Sequence, residues 1–229
     1  MIVREVVIGG ARLILGDGYQ VLPTLGRVQL VTDPPYQFDN SGGGEFRKAR
    51  GASDQIVAEG LDQGFDHTII NPLLHPAAVV FCHNDQLPDL LTYLTGNYLR
   101  FCVNVWIKPN PSPHRNKHYL ADTEFFVHVW QEGYHPVGAH HDMHRHVTAG
   151  SKPAKLFGHP TVKPDEVMDK VIRNVAPGVI CDPFMGTGST GVAALKAGRS
   201  FVGIEKNPAH FETACRRISE VAAPLLLSG

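Results

Sequence analysis

Residues 178–205 read GVICDPFMGTGSTGVAALKAGRSFVGIE. A short apolar run ends on Asp182, a glycine turn follows, and the small and apolar residues from Ser189 onward have the spacing of a helix. A second apolar run, SFVGI, closes on Glu205. Strand, tight turn, helix and strand in this order make the unit from which parallel sheets are built. Gly186 and Gly188 let the backbone turn sharply and come close to a ligand, and the helix N-terminus offers unpaired amide donors. Glu205, about twenty residues past the turn, is placed to accept both hydroxyls of a ribose. Gly186, Gly188 and Gly191 also satisfy GxGxxG, so a nicotinamide-dependent oxidoreductase is one reading. Against it, the turn opens DPFMG instead of with small residues, and it comes late in the chain.

Working outward, further apolar runs bounded by turn residues read as strands: VREVVI (3–8), ARLILG (11–16), VQLVT (28–32), AAVVFCH (77–83), LRFCVNVWIK (99–108) and EFFVHVWQE (124–132). QLPDLLTYLTG (86–96), KPDEVMDKVIRNV (163–175) and PAHFETACRRISEVA (208–222) read as helices, with Val167, Val171 and Val175 on one face. Asn207 followed by Pro208 is a cap and a first-turn proline. Strands alternating with helices predict an α/β fold, a doubly wound, mostly parallel sheet, in a single domain over 1–229. Runs 99–108 and 124–132 have no helix between them and are expected to form an antiparallel edge hairpin.

VTDPPYQ, residues 31–37, ends its strand abruptly, because two prolines fix φ and remove the backbone donors. Together with the glycine turn, this motif makes the chain resemble S-adenosylmethionine-dependent DNA amino-methyltransferases acting on adenine N6 or cytosine N4. TDPPY is similar to their catalytic motif, DPFMGTGST to their cofactor-methionine loop, and FVGIEKNPAHFETACRRI to the strand and helix after it. GHPTVKP (158–164) resembles a further cofactor motif, and LILGDGYQVLPTL the segment before the catalytic strand. Catalytic motif first and glycine motif last is the permuted order of the beta class. That order disfavours RNA and protein-glutamine methyltransferases, and the intact motifs disfavour a non-catalytic DNA-binding relative. The fold implied is a Rossmann-like methyltransferase sheet.

The chemistry of the residues agrees. An exocyclic amino group is a poor nucleophile because its lone pair is delocalised into the ring. Acceptors for both N–H groups favour the localised lone pair and take up the proton. Asp33 is one acceptor and the Pro34 carbonyl the other, Pro35 fixes that carbonyl's direction, and Tyr36 offers a face for a base flipped out of the duplex. By resemblance, Asp182, Phe184, Gly186, Gly188 and Thr190 surround the methionine part of S-adenosylmethionine, and Glu205 takes the ribose. Asp17 lies near the adenine, His159 and Thr161 complete the pocket, and Lys163 meets the cofactor carboxylate. Asp17 also reads as a turn acid beside two glycines, and HPTVKP as a proline-bounded helix entry. The leading Asp of DPPY leans toward adenine, with cytosine N4 the alternative.

A formal net charge of -1 gives no overall attraction to polyanions, so contacts to double-stranded DNA must be local. Candidates are Arg47, Lys48 and Arg50 in a glycine-rich loop at 37–55 that could close over the site, and Lys108, Arg115 and Lys117 in WIKPNPSPHRNKH (106–118). That last stretch reads equally as a solvated loop. Arg145 lies in residues 131–158, an irregular, histidine-rich interval where the resemblance puts a short target-recognition insertion. Its HHDMHRH run invites zinc, but phosphate or base contact fits better, and no metal is expected. Cys82, Cys102, Cys181 and Cys215 are too widely spaced for a zinc or disulfide framework. No stretch reads as a signal peptide or membrane span, so a cytoplasmic protein is expected. The resemblance adds a homodimer and leaves a partner endonuclease open.

Overall fold

The computed structural model describes residues 2–36, 64–111, 119–151 and 162–227. Its strands, in chain order, are β1 (Ile2–Ile8), β2 (Ala11–Gly16), β3 (Gln29–Thr32), β4 (Ala77–Cys82), β5 (Arg100–Ile107), β6 (Thr123–Trp130), β7 (His146–Thr148), β8 (Ile180–Asp182) and β9 (Phe201–Glu205). The α-helices are α1 (Gly18–Val21), α2 (Leu87–Asn97), α3 (Asp165–Asn174), α4 (Ser189–Lys196) and α5 (Pro208–Leu227). All strands join one sheet in the order β1-β2-β9-β8-β3-β4-β6-β5-β7.

The five strands from β2 to β4 in that order are mutually parallel. QLVT of β3 and AAVVFC of β4 are buried throughout, as befits central strands covered on both faces. Successive side chains point to opposite faces and so divide the apolar residues into two cores. Val31, Val79 and Phe81 pack with Val167, Val171 and Val175 of the α3 segment and with α4 and α5. Leu30, Ala78 and Val80 pack with Leu90 and Leu94 of α2 on the other side. The sheet is therefore doubly wound.

β5 and β6 form the expected antiparallel hairpin, and β6 joins the parallel strands by pairing antiparallel to β4. The hairpin does not end the sheet, because β7 pairs parallel to β5 outside it. A second antiparallel pair, β1 with β2, forms the other edge. Within the described part of the expected irregular interval, 131–151, β7 is a short regular strand. The turn before β7 is pinned in place by Asp142, which is 5% exposed. Arg173 of α3 reaches its carboxylate at 2.9 Å, Asn174 Nδ2 donates to its backbone carbonyl at 3.1 Å, and Lys170 Nζ donates to the same carbonyl. No helix among the described residues is long and apolar enough to cross a membrane.

Candidate active site

The chain leaves β3 toward β4 on one side and β8 toward β9 on the other, so the carboxyl ends of adjacent β3 and β8 form a topological switch point. A cleft of about 290 Å³ opens there, just under the usual lower range of small-molecule pockets. Thr32 at the end of β3 donates to Asp182 Oδ1 at 2.8 Å, and Thr190 of α4 donates to Oδ2 at 2.7 Å. With the Phe184 N–H at 3.1 Å, these bonds lock the turn after β8 onto its neighbours. Burial pushes the Asp182 carboxyl up to about 7 against those three donors.

Glu205, at the end of β9, accepts from the Gly186 N–H at 2.8 Å and the Asn207 N–H at 2.7 Å, one bond on each oxygen. Each oxygen keeps a second lone pair, and the side chain lines the cleft. Asn207 caps α5 as expected, accepting from the Ala209 N–H at 2.9 Å. Asp17 is the N-cap of α1, with the Tyr19 N–H on its Oδ1 at 2.8 Å, so it is a turn acid and a cleft residue together. A Cβ at Gly18 would lie 2.5 Å from the Pro183 carbonyl oxygen, and this close approach is what brings Asp17 against the DPF turn. Gly188 has φ 85 and no room for a side chain, since a Cβ would sit 3.1 Å from Ala214 of α5. It shapes the turn and packs the helix, and it is absent from the cleft wall.

Asp33 to Tyr36 form the opposite wall. Lys163, 4% exposed, puts Nζ 2.6 Å from Asp33 Oδ2 and 3.1 Å from Glu124 Oε2. The same ammonium donates to Tyr36 Oη at 3.0 Å, and the tyrosine hydroxyl donates to Glu124 Oε2 at 3.3 Å. Lys108 closes the chain of charges at 2.5 Å from Glu124 Oε1. Two cations and two carboxylates are thus sequestered in balance. Breaking such a buried set by removing one member costs about 3–5 kcal/mol. Asp33 Oδ1 is buried and has no hydrogen-bond partner among the described residues.

Burial raises the Asp33 carboxyl above its ordinary range in spite of Lys163. It disfavours the Lys163 ammonium too, yet Asp33 and Glu124 carry that pKa above the usual value. Burial would also raise Glu124, but Lys163 and Lys108 bring it below the ordinary carboxylate range.

The sequence motifs therefore converge on one cleft: Asp17, Asp33, Pro34, Pro35, Tyr36, Lys163, Asp182, Phe184, Gly186, Thr190 and Glu205 all line it. Besides Gly188, two placements differ from expectation. Lys163 is engaged by Asp33 and Glu124, not left free for a cofactor carboxylate. Lys108 is largely covered against Glu124, with Nζ 4.7 Å from the Trp106 ring centre, and is not on an open basic edge. Arg145 is exposed beside β7. Arg47, Lys48, Arg50, Arg115, Lys117, His159, Thr161 and the 37–55 loop lie outside the described residues. Among the described residues no three His, Cys, Asp or Glu side chains gather as a metal site. Tyr19, Met185 and His210 also line the cleft and were not anticipated; nor was Glu124, which lies in an apolar strand with no motif around it.

Fold and site together define an α/β enzyme that holds a nucleoside-bearing cofactor at its switch point and presents a carboxylate across from it. The family model for DNA methylase, N6_N4_Mtase, matches residues 29–216. The chain belongs to this family, and it is an amino-methyltransferase with S-adenosylmethionine as cofactor.

Relatives include the Type II methyltransferase M2.LlaDCHI of Lactococcus lactis subsp. cremoris, 25% identical over 93% of this chain and 90% of the relative. The Type II methyltransferase M2.MboI of Moraxella bovis is 25% identical over 86% and 82%. The crystal structure of the M1.HpyAVI-SAM complex superposes with a TM-score of 0.65 at 25% identity, covering 90% of this chain and 99% of that one. PvuII DNA methyltransferase (cytosine-N4-specific) shares the fold, with a TM-score of 0.67 at 14% identity over 100% and 98%.

The cleft suits this cofactor on its own terms: the buried Glu205 carboxylate beside the glycine turn has lone pairs that fit the hydroxyl donors of a ribose, and Gly18 keeps the neighbouring wall in contact. Gly18→Ala is expected to weaken S-adenosylmethionine binding about tenfold, because the Pro183 carbonyl is backbone and overpacking costs about 1–3 kcal/mol. Titration calorimetry on the folded variant checks this.

Proposed function

We propose that the protein methylates the N6 amino group of an adenine flipped out of duplex DNA, with Asp33 as the proton acceptor. The observation that carries this reading is the state of Asp33: Oδ2 is held by Lys163 at 2.6 Å, while buried Oδ1 has no partner among the described residues. Buried polar atoms are nearly always satisfied, and an acceptor left over in a cleft fits a ligand's donor. Bound S-adenosylmethionine supplies a methyl group on a sulfonium, which leaves as a neutral thioether. One N–H of the base donates to Asp33 Oδ1 and the other to the Pro34 carbonyl, which localises the nitrogen lone pair as the new N–C bond forms. Asp33 then takes the proton, a role helped by the burial that raises its basicity. Tyr36 contributes its ring to stack the base, its hydroxyl being tied inward to Glu124. Asp17, Phe184, Asp182, Gly186 and Glu205 hold the cofactor, and Gly188 and Thr190 shape the turn that does so.

Adenine is preferred because the acceptor motif leads with an acid. Cytosine N4 presents the same amino chemistry and is the second reading. Likeness to Type II methyltransferases supports a place as the modification partner of a restriction endonuclease, and the homodimer expected of this class belongs to the same proposal. The test is mass spectrometry of nucleosides from unmethylated DNA incubated with protein and S-adenosylmethionine. N6-methyladenine is the expected product. N4-methylcytosine would replace the base assignment and keep the mechanism, whereas no methylated base despite cofactor binding would overturn both.

A further inference from the structure

We infer that Glu124 is a positioning residue: by sharing the Lys163 ammonium with Asp33 it keeps that ammonium from being given wholly to Asp33, whose buried Oδ1 has no partner among the described residues and is the acceptor for the amino group of the base. The inference rests on the proposed role of Asp33. A carboxylate that must collect a proton faces two opposite failures. Buried without a cation, it protonates and donates instead of accepting. Paired one to one with a buried ammonium, it becomes a weak base whose lone pairs are engaged by that ammonium. The structure sits between these limits. The single ammonium of Lys163 lies between two carboxylates, 2.6 Å from Asp33 Oδ2 and 3.1 Å from Glu124 Oε2.

Glu124 is itself anchored. Lys108 holds Oε1 at 2.5 Å, and Tyr36 donates to Oε2 at 3.3 Å. The ammonium is further confined by aromatic rings, 5.1 Å from the centre of Phe81 and 5.2 Å from that of Tyr36. Glu124 comes from β6, so the antiparallel hairpin reaches into the active site that the parallel strands build. Among the described residues, the charged and titratable groups that act on Asp33 are Lys163 from the segment before α3, Glu124 from β6, Tyr36 from its own loop, Cys82 from β4 and Asp182 from β8. Of the two nearest charges among the described residues, Lys163 favours the ionised carboxylate and Glu124 opposes it.

Two substitutions away from Asp33 are expected to move it in opposite directions. Glu124→Gln removes the competing charge and gives Lys163 wholly to Asp33, so the Asp33 pKa should fall by about one unit. Lys108→Met frees Glu124 to draw Lys163 toward the hairpin, so it should rise by about one unit. Carbon NMR of carboxyl-labelled protein, with the Asp33 signal assigned from Asp33→Asn, reads both shifts without DNA or turnover. S-adenosylmethionine affinity within about twofold of the parent, where roughly 0.4 kcal/mol is at stake, shows that each variant is folded. Single-turnover methyl transfer in Glu124→Gln should drop roughly tenfold with its acid limb moved to lower pH, while KM for DNA stays unchanged.

A merely structural Glu124 would lower the melting temperature of both variants and leave the Asp33 titration where it was, and that result would overturn the inference. Shifts of the same sign in the two variants would do so as well. If the titrations move as expected but the parent methylates no DNA, the electrostatic arrangement stands and it is the proposed role of Asp33 that fails.

Discussion

Asp33→Ala is expected to bind S-adenosylmethionine within about threefold of the parent and to transfer methyl groups to DNA at least a thousandfold more slowly, toward the upper end of what a positioned base contributes. The two halves of this expectation come from different walls of the cleft. Asp33 accepts the Lys163 ammonium at Oδ2 and faces the cleft beside Pro34, whereas the glycine turn and Glu205 are held by their own bonds. Removing the carboxylate leaves Glu124 to face both Lys163 and Lys108, a loss of about 3–5 kcal/mol of stability, so retained S-adenosylmethionine binding is also the check that the variant is folded. Asp33→Asn is the stricter control. Its amide keeps the volume and one acceptor oxygen, but cannot take a proton and presents an N–H on one side. It should be impaired nearly as much as alanine. Turnover within tenfold of the parent in either variant, measured in single-turnover reactions at saturating cofactor, would remove Asp33 from the chemistry.

The contrast between the two walls also explains what the sequence could and could not disclose. Val31, Asp33 and the two prolines, or Asp182 and the glycines after it, are local signals: an apolar run, a backbone break and an acid within a few residues. Each unit forms by short-range rules, and the parallel strands bring the units together because β3 and β8 are neighbours. Asp17 belongs to the same class, since its cap bond to Tyr19 is two residues long. Glu124 is different in kind. Its partner Lys163 is remote in sequence, and β6 reaches it only because the hairpin pairs antiparallel with β4, aligning Cys82 with Phe125. The contacts of Lys163 with Asp33 and Glu124 were hidden for the same reason, as nothing near 163 announces that two acids from other strands converge on it. β7 was hidden by its length, three residues among histidines, and forms through pairing to β5 and the anchoring of Asp142 on α3.

Glu205→Ala is expected to lower affinity for S-adenosylmethionine by roughly a hundredfold or more, since two hydrogen bonds to a charged acceptor are worth about 1.5–3 kcal/mol each. The residue is 8% exposed and joins the end of β9 to the glycine turn through the Gly186 N–H, and to the start of α5 through the Asn207 N–H. Its removal therefore also strands two backbone donors, and a loss of affinity alone would not separate a ribose acceptor from a strut. A 2′-deoxyribose analogue of S-adenosylhomocysteine makes that separation. The parent should bind it well below the ribose form, because one carboxylate lone pair then faces no donor, while Glu205→Ala should bind the two forms alike. Glu205→Gln, which keeps an acceptor oxygen but opposes an N–H to one of the backbone donors, should fall between them. An alanine variant that binds weakly yet still favours the ribose form would leave Glu205 as the support of the turn and place the hydroxyl acceptor elsewhere in the cleft, whereas parental affinity would dismiss it from both roles.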